Sequence, residues 1–297
     1  MSASLIITFF GPMIVYVDNK LDANRMLMAA VIFGILAIMC YLACYKLTVE
    51  RIEAPKNNGS GFNIQKTVEG LGKNKPLLWI LLASLLFMVN TMLIQTVNAY
   101  LFKDYFSNTK ALSITGLMQT VTAFLAIPLV TPMVKKFGKK EVASFGIGLA
   151  TVVYFVLFFM KDLSGMDFVF ISAIGQFGYA FFNLIIWAFV TDVIDYHEYV
   201  TGLREDGTVY SVFSMARKIG QAVAGGVGGF AIAAVGYNAV LEQQTETTLN
   251  GIYTLATLVP ALFYLTICLI LVFFYPLNKN RTNQLVRDLK KKRKERG

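Results

Sequence analysis

The residues with chemical potential crowd into positions 183–229, NLIIWAFVTDVIDYHEYVTGLREDGTVYSVFSMARKIGQAVAGGVGG. Asn183 and Trp187 stand four apart, on one face of a helix, and pair an amide with an indole. Such a pair suits a sugar, whose hydroxyls need hydrogen bonds and whose C–H face stacks on aromatic rings. An interhelical amide bond and an interfacial Trp are the other reading. Thr91, Gln95 and Asn98 form a second polar stripe, open to the same two readings. Asp192, Asp195 and Glu198 are spaced three and three, with Arg204 six residues on. They form either a charge network that latches one side of the molecule or a solvated charged loop. His197 is the single histidine and has no supporting ligand set, so no metal site is expected. Nothing resembles a nucleophile elbow, phosphate loop, dinucleotide fingerprint or HExxH, so the chain is not expected to be an enzyme.

Lys218 is the residue that most demands an explanation. A helix starting near Thr208 places it ten residues along, roughly 15 Å, which is close to mid-membrane. An ammonium at that depth is costly, so it faces a hydrated cavity or a carboxylate, unless it snorkels to the surface. Arg217 is rotated by roughly 100° from it and cannot share its direction; it is expected to snorkel or to meet loop acids. All 18 Asp and Glu fall in loops or within a turn of helix ends, so no deep carboxylate remains for Lys218. The glycines that follow, Gly220, Gly225, Gly226, Gly228 and Gly229, let helices approach closely and pivot.

Those residues must be positioned by membrane-spanning helices. A chain of 297 residues that is 56% apolar and 15% charged is too oily for a soluble domain. With about 20 apolar residues per crossing, eight spans emerge, near 5–17, 27–45, 77–101, 114–134, 142–160, 168–190, 210–235 and 252–276. The runs are continuously apolar rather than alternating, which selects an all-α membrane protein over a barrel. The N-terminus lacks the marks of a signal peptide and reads as a span. Cys40, Cys44 and Cys268 lie within apolar spans without CxxC spacing and read as small packing residues.

Of 27 Lys and Arg, 22 fall on one side if the intervening segments alternate. By the positive-inside tendency both termini are cytoplasmic and the protein sits in the plasma membrane. The basic tail LVRDLKKKRKERG reads as a juxtamembrane segment near anionic lipid rather than a nucleic-acid arm. The polar stretch 46–75 separates two spans from six, the arrangement of a cytoplasmic linker between the six-helix halves of a transporter. The expected organisation is therefore 1–45 as the last two helices of one half, 46–75 as the linker, 76–276 as a complete half and 277–297 as a basic tail.

The segment DVIDYHEYVTGLREDGTVYSVFSMARKIG and the glycine-rich helix after it resemble the glycoside-pentoside-hexuronide:cation symporter family of major facilitator transporters. The basic turn TPMVKKFGKKEV is similar to turns that recur in major facilitator proteins. The resemblance implies a twelve-helix major facilitator bundle, of which about eight helices are present, and sugar uptake driven by Na⁺, H⁺ or Li⁺ through alternating access. It implies that Lys218 lies in a central cavity near the sugar and cation sites, and that Asp192, Asp195, Glu198 and Arg204 form a cytoplasmic ionic lock. Asn183 falls where the melibiose permease has a tryptophan against the sugar, and Trp187 is a substitute one turn on. The family's cation-binding acids and main sugar carboxylate belong to its first four helices, so the chain is expected to be N-terminally truncated. Its expected partners are a sugar or glycoside, a coupling cation and the bilayer, with no cofactor. The alternative is a transport-incompetent remnant or partner subunit that retains the fold.

Overall fold

The computed structural model describes residues 16–17, 20–21, 23–49, 64–241 and 243–296. The chain divides into two units, Met1–Phe62 and Asn63–Gly297. In the first, β1 (Tyr16–Val17) pairs antiparallel with β2 (Lys20–Leu21). The expected span at 5–17 lies outside the described residues except for Tyr16 and Val17, which are extended rather than helical. Helix α1 (Ala23–Leu47) follows, apolar all round, with only Ala29 buried. Its Cys40 and Cys44 are exposed, so they do not serve as packing residues within the unit; Cys268 of the second unit is half-buried.

The second unit is a helical bundle. A short helix α2 (Ile64–Lys73) leads into α3 (Lys75–Tyr100), which ends in a π-turn at Leu101–Tyr105. Then come α4 (Thr109–Phe137), α5 (Lys139–Phe159), α6 (Gly165–Thr201), α7 (Asp206–Ala234) and α8 (Glu246–Leu269), the last with a π-turn at Ile270–Phe274. The chain closes with α9 (Lys279–Arg296). Among the described residues, six helices are long and apolar enough to cross a membrane: α1, α3, α4, α5, α6 and α8. Helix α7 has the length, at 29 residues, but Arg217, Lys218, Gln221 and its glycines dilute its apolar character.

Helices this apolar satisfy their own backbone groups and so need only steric fit to associate. The fit comes from small residues. A Cβ on Gly146 of α5 would lie 2.6 Å from the Gly178 carbonyl oxygen of α6, so the two backbones touch. Helix α7 approaches α3 in the same way, with a Cβ on Gly220 3.0 Å from Leu85 O and one on Gly228 3.1 Å from Thr96. Gly138 joins α4 directly to α5 at φ 114°, a conformation L side chains rarely adopt.

One sequence expectation changes here. The span at 168–190 ends where apolar character ends, yet α6 continues to Thr201, because nothing breaks the helix before Gly202 takes the left-handed conformation at φ 76°. Asp192, Asp195 and Glu198 therefore ride on a rigid helix rather than a loop. In the tail, Leu285 and Leu289, four apart, are buried, and α9 packs back on α6.

Asn74 ties α2, α3 and α6 together. Fully buried, it caps α3 by accepting from Leu77 N at 3.0 Å and donates to Val193 O of α6 at 2.9 Å. Asn74→Ala loses a cap and strands a buried carbonyl, together about 2 kcal/mol. A fall of several degrees in the thermal midpoint of the detergent-solubilised chain is expected; an unchanged midpoint contradicts this anchoring role.

Candidate functional site

A polar cavity of about 170 Å³ lies between α3, α4, α5, α6 and α8. This is smaller than the roughly 300–1,000 Å³ of most drug-sized ligand sites and fits a compact solute. Thr91, Gln95 and Asn98 line it from α3, Thr115 and Gln119 from α4, and Gln176 and Tyr179 from α6. The stripe on α3 recurs every three to four residues, and thus turns one face to the cavity. Tyr154 and Tyr264, buried and with ring centroids 5.5 Å apart, close its floor. The Gln176 side-chain oxygen is buried without a hydrogen-bond partner among the described residues, so an acceptor stands ready for a donor. Gln119, Gln176 and the three tyrosines escaped the sequence reading, though amides inside apolar spans are the signal that exposes them.

Lys218, Asn183 and Trp187 do not line this cavity. Lys218 is exposed on α7, with no hydrogen bond, ion pair or ring contact to the described residues. Asn183 is half-buried, and Trp187 is 45% exposed. The indole already has neighbours, stacking on Tyr210 at 5.8 Å and meeting Phe213 edge-on at 5.5 Å. Arg217 overturns its expectation: it turns inward, with its guanidinium 5.0 Å from the Trp187 ring centroid and Nη2 3.7 Å from Met88 Sδ.

At the end of the bundle where α6 finishes, the charges sort into separate sets. Arg204 Nη1 donates to Asp195 at 3.2 Å and to Glu198 at 3.1 Å, and its Nε donates to Asp206. Arg293 of α9 enters from the other side, donating from Nε to Glu198 at 2.9 Å and from Nη2 to the other carboxylate oxygen, with Asp195 3.9 Å away. That bond to Glu198 raises the Arg293 guanidinium above its ordinary pKa despite partial burial. Lys292 lies 4.1 Å from the centre of the Tyr199 ring. Asp192, about one turn before Asp195 on α6, is not part of the Arg204 set. It accepts a hydrogen bond from the Lys139 ammonium at the start of α5, at 2.6 Å. His197 is fully buried and pairs with Glu205 at 2.9 Å. Among the described residues no group of three metal-ligating side chains is present.

A family model described as MFS/sugar transport protein matches residues 1–279. The chain belongs to the MFS/sugar transport protein family. It is 31% identical over 287 residues to a protein of Bacillus subtilis (strain 168) described as the uncharacterized symporter YjmB, covering 95% of this chain and 60% of that protein. It is 29% identical over 265 residues to the glucuronide carrier protein homolog of Escherichia coli (strain K12), covering 89% of this chain and 57% of the other. The isoprimeverose transporter of Lactiplantibacillus pentosus is 26% identical over 296 residues, covering 98% and 60% respectively. The chain therefore spans less than two thirds of the length of these MFS/sugar transport relatives. The relatives are transporters, and this chain is a multi-span membrane protein of the same family.

Proposed function

We propose that this chain forms the substrate-bearing bundle of a sugar transporter of the plasma membrane, a symporter that couples sugar to Na⁺ or H⁺ by alternating access. The carrying observation is the polar cavity, lined by four amides and three tyrosines inside an otherwise apolar bundle, in a chain of a sugar-transport family. Gln95, Asn98 and Gln176 hydrogen-bond sugar hydroxyls, and the tyrosines supply rings for the C–H face. The names of the relatives include a glucuronide, which is acidic, and isoprimeverose, which is neutral; both are sugars. Asn183, Trp187 and Lys218 stand outside the lining of the cavity. The Asp195, Glu198, Arg204 and Arg293 network gates the basic end, which faces the cytoplasm by the excess of Lys and Arg there.

Equilibrium binding of radiolabelled sugars to the chain in nanodiscs tests the site. A Gln176→Leu variant removes an acceptor whose loss is worth about 1–3 kcal/mol, so affinity is expected to fall roughly tenfold to a hundredfold. Unchanged affinity places the sugar elsewhere. Uptake by proteoliposomes then separates a carrier from a membrane partner that binds without transporting.

A further inference from the structure

Helix α9 holds more charge than its docking uses. Its 18 residues include nine Lys or Arg and two acids. One face is committed to the protein: Leu285 and Leu289 are buried, Arg293 bonds Glu198, and Lys292 lies on the Tyr199 ring. At roughly 100° per residue, the opposite face carries Arg287, Lys291 and Lys294, with Lys290 on its flank. All four are exposed, and no hydrogen bond, ion pair or ring contact ties them to the described residues. Asn283 and Gln284 line an open concavity together with Arg287, Lys290 and Lys291, in which Asp288 is the single acid. Spaced three and four apart, these like charges repel one another along the helix. An anionic surface laid against them relieves that repulsion.

The strip starts at the edge of the apolar belt. Trp79, one turn into α3 from Lys75, meets Phe274 at the end of α8. Phe273 and Phe274 are exposed, and so is Phe137 at the end of α4. Aromatic residues at the ends of spanning helices mark the boundary between hydrocarbon and headgroups. Helix α9 begins five residues after Phe274. Lys279 Nζ donates to Lys136 O at 2.7 Å, and Lys140 Nζ donates to Tyr275 O at 2.7 Å, so α9 starts level with the ends of α4 and α8.

We infer that Arg287, Lys290, Lys291 and Lys294 form a docking surface for anionic phospholipid of the adjoining leaflet, and that this lipid holds α9 against α6 from outside. The phosphates engage the outward strip while Leu285, Leu289 and Arg293 keep their places on the protein. Lipid does not compete with Glu198, because the strip and Arg293 point in different directions. The surface is independent of what occupies the cavity. Nucleic acid is the other polyanion that such charge attracts; the exposed aromatics at the start of the strip favour lipid.

The test is amide hydrogen exchange over 279–296 in nanodiscs of phosphatidylcholine alone and of an equal mixture with phosphatidylglycerol. Each basic residue near an anionic surface strengthens attachment several-fold, so exchange is expected to be at least about tenfold slower in the mixture. Molar salt, with a Debye length of roughly 3 Å, removes that difference. Replacing the strip as a set, Arg287→Gln, Lys290→Gln, Lys291→Gln and Lys294→Gln, removes it too. In phosphatidylcholine the same variant stays within about threefold of wild type, since its contacts with α6 are untouched. Equal exchange of the wild type in the two lipids overturns the inference. So does a difference that survives the four substitutions, which assigns the lipid to the lysines of the α4–α5 turn. If RNA slows exchange in phosphatidylcholine and phosphatidylglycerol has no effect, the strip serves nucleic acid and the inference falls. Should the substituted chain fail to fold, the wild-type ratio between the two lipids and its loss in molar salt still decide.

Discussion

Gly178→Ala is expected to lower the thermal midpoint of the purified chain by roughly 5–10 °C. The added Cβ would overlap the Gly146 carbonyl oxygen and lie 3.1 Å from Ala150 N. Both are backbone atoms of α5, and neither can rotate away as a side chain would. Relief requires α5 and α6 to separate, and they form the most extensive helix pair among the described residues. Overpacking of this kind costs about 3 kcal/mol, more than the roughly 1 kcal/mol by which Ala is a better helix former than Gly. Gly225→Ala is the control, since nothing lies within 4 Å of a Cβ there, and its midpoint should hold or rise slightly. Equal midpoints for the two variants would mean that α5 and α6 do not touch backbone to backbone.

The second large effect is expected at Glu198. It accepts from two guanidiniums, those of Arg204 and Arg293, while 8% exposed. Glu198→Gln leaves both cations facing a neutral amide, and losing a buried carboxylate shared by two partly exposed guanidiniums costs on the order of 3 kcal/mol. Arg293 itself is 48% exposed, so Arg293→Ala removes a partner that water replaces, at about 1 kcal/mol or less. The readout is amide hydrogen exchange over 279–296. Glu198→Gln should speed it by on the order of a hundredfold as α9 detaches locally, and Arg293→Ala by less than about tenfold. If exchange in α9 matches wild type in the Gln variant, Leu285 and Leu289 alone hold the helix down.

Much of the scaffold is legible in the sequence because a bilayer demands length and apolarity, and both can be read along one chain. The end of α6 is not, since hydropathy marks where lipid ends and not where a helix does; Gly202 is the true stop. Choosing between Arg217 and Lys218 needs the rotational phase of α7. The small residues Gly220, Ala224 and Gly228, all buried, carry that phase: Arg217 precedes Gly220 by three and shares its face, and Lys218 does not. Depth along α7 and the family resemblance, neither of which reports phase, draw attention to the lysine. The cavity is harder, because its residues come from five helices and no spacing along the chain announces which helices adjoin. The docking of the tail on α6 is hidden by composition: its basic residues read as a segment near anionic lipid, and two leucines four apart are a faint sign beside them.

The chain holds two tryptophans, and the fold gives them unlike surroundings. Trp79 rests against Phe274, 4.6 Å between ring centres, away from the cavity. Trp187 lies under the Arg217 guanidinium and beside Tyr210. Any event that draws the guanidinium off the indole changes the polarity and quenching felt by one fluorophore and leaves the other as an internal standard. The molecule thereby carries a built-in optical gauge of the arginine's position, and a Trp79→Phe background isolates its emission without attaching a dye.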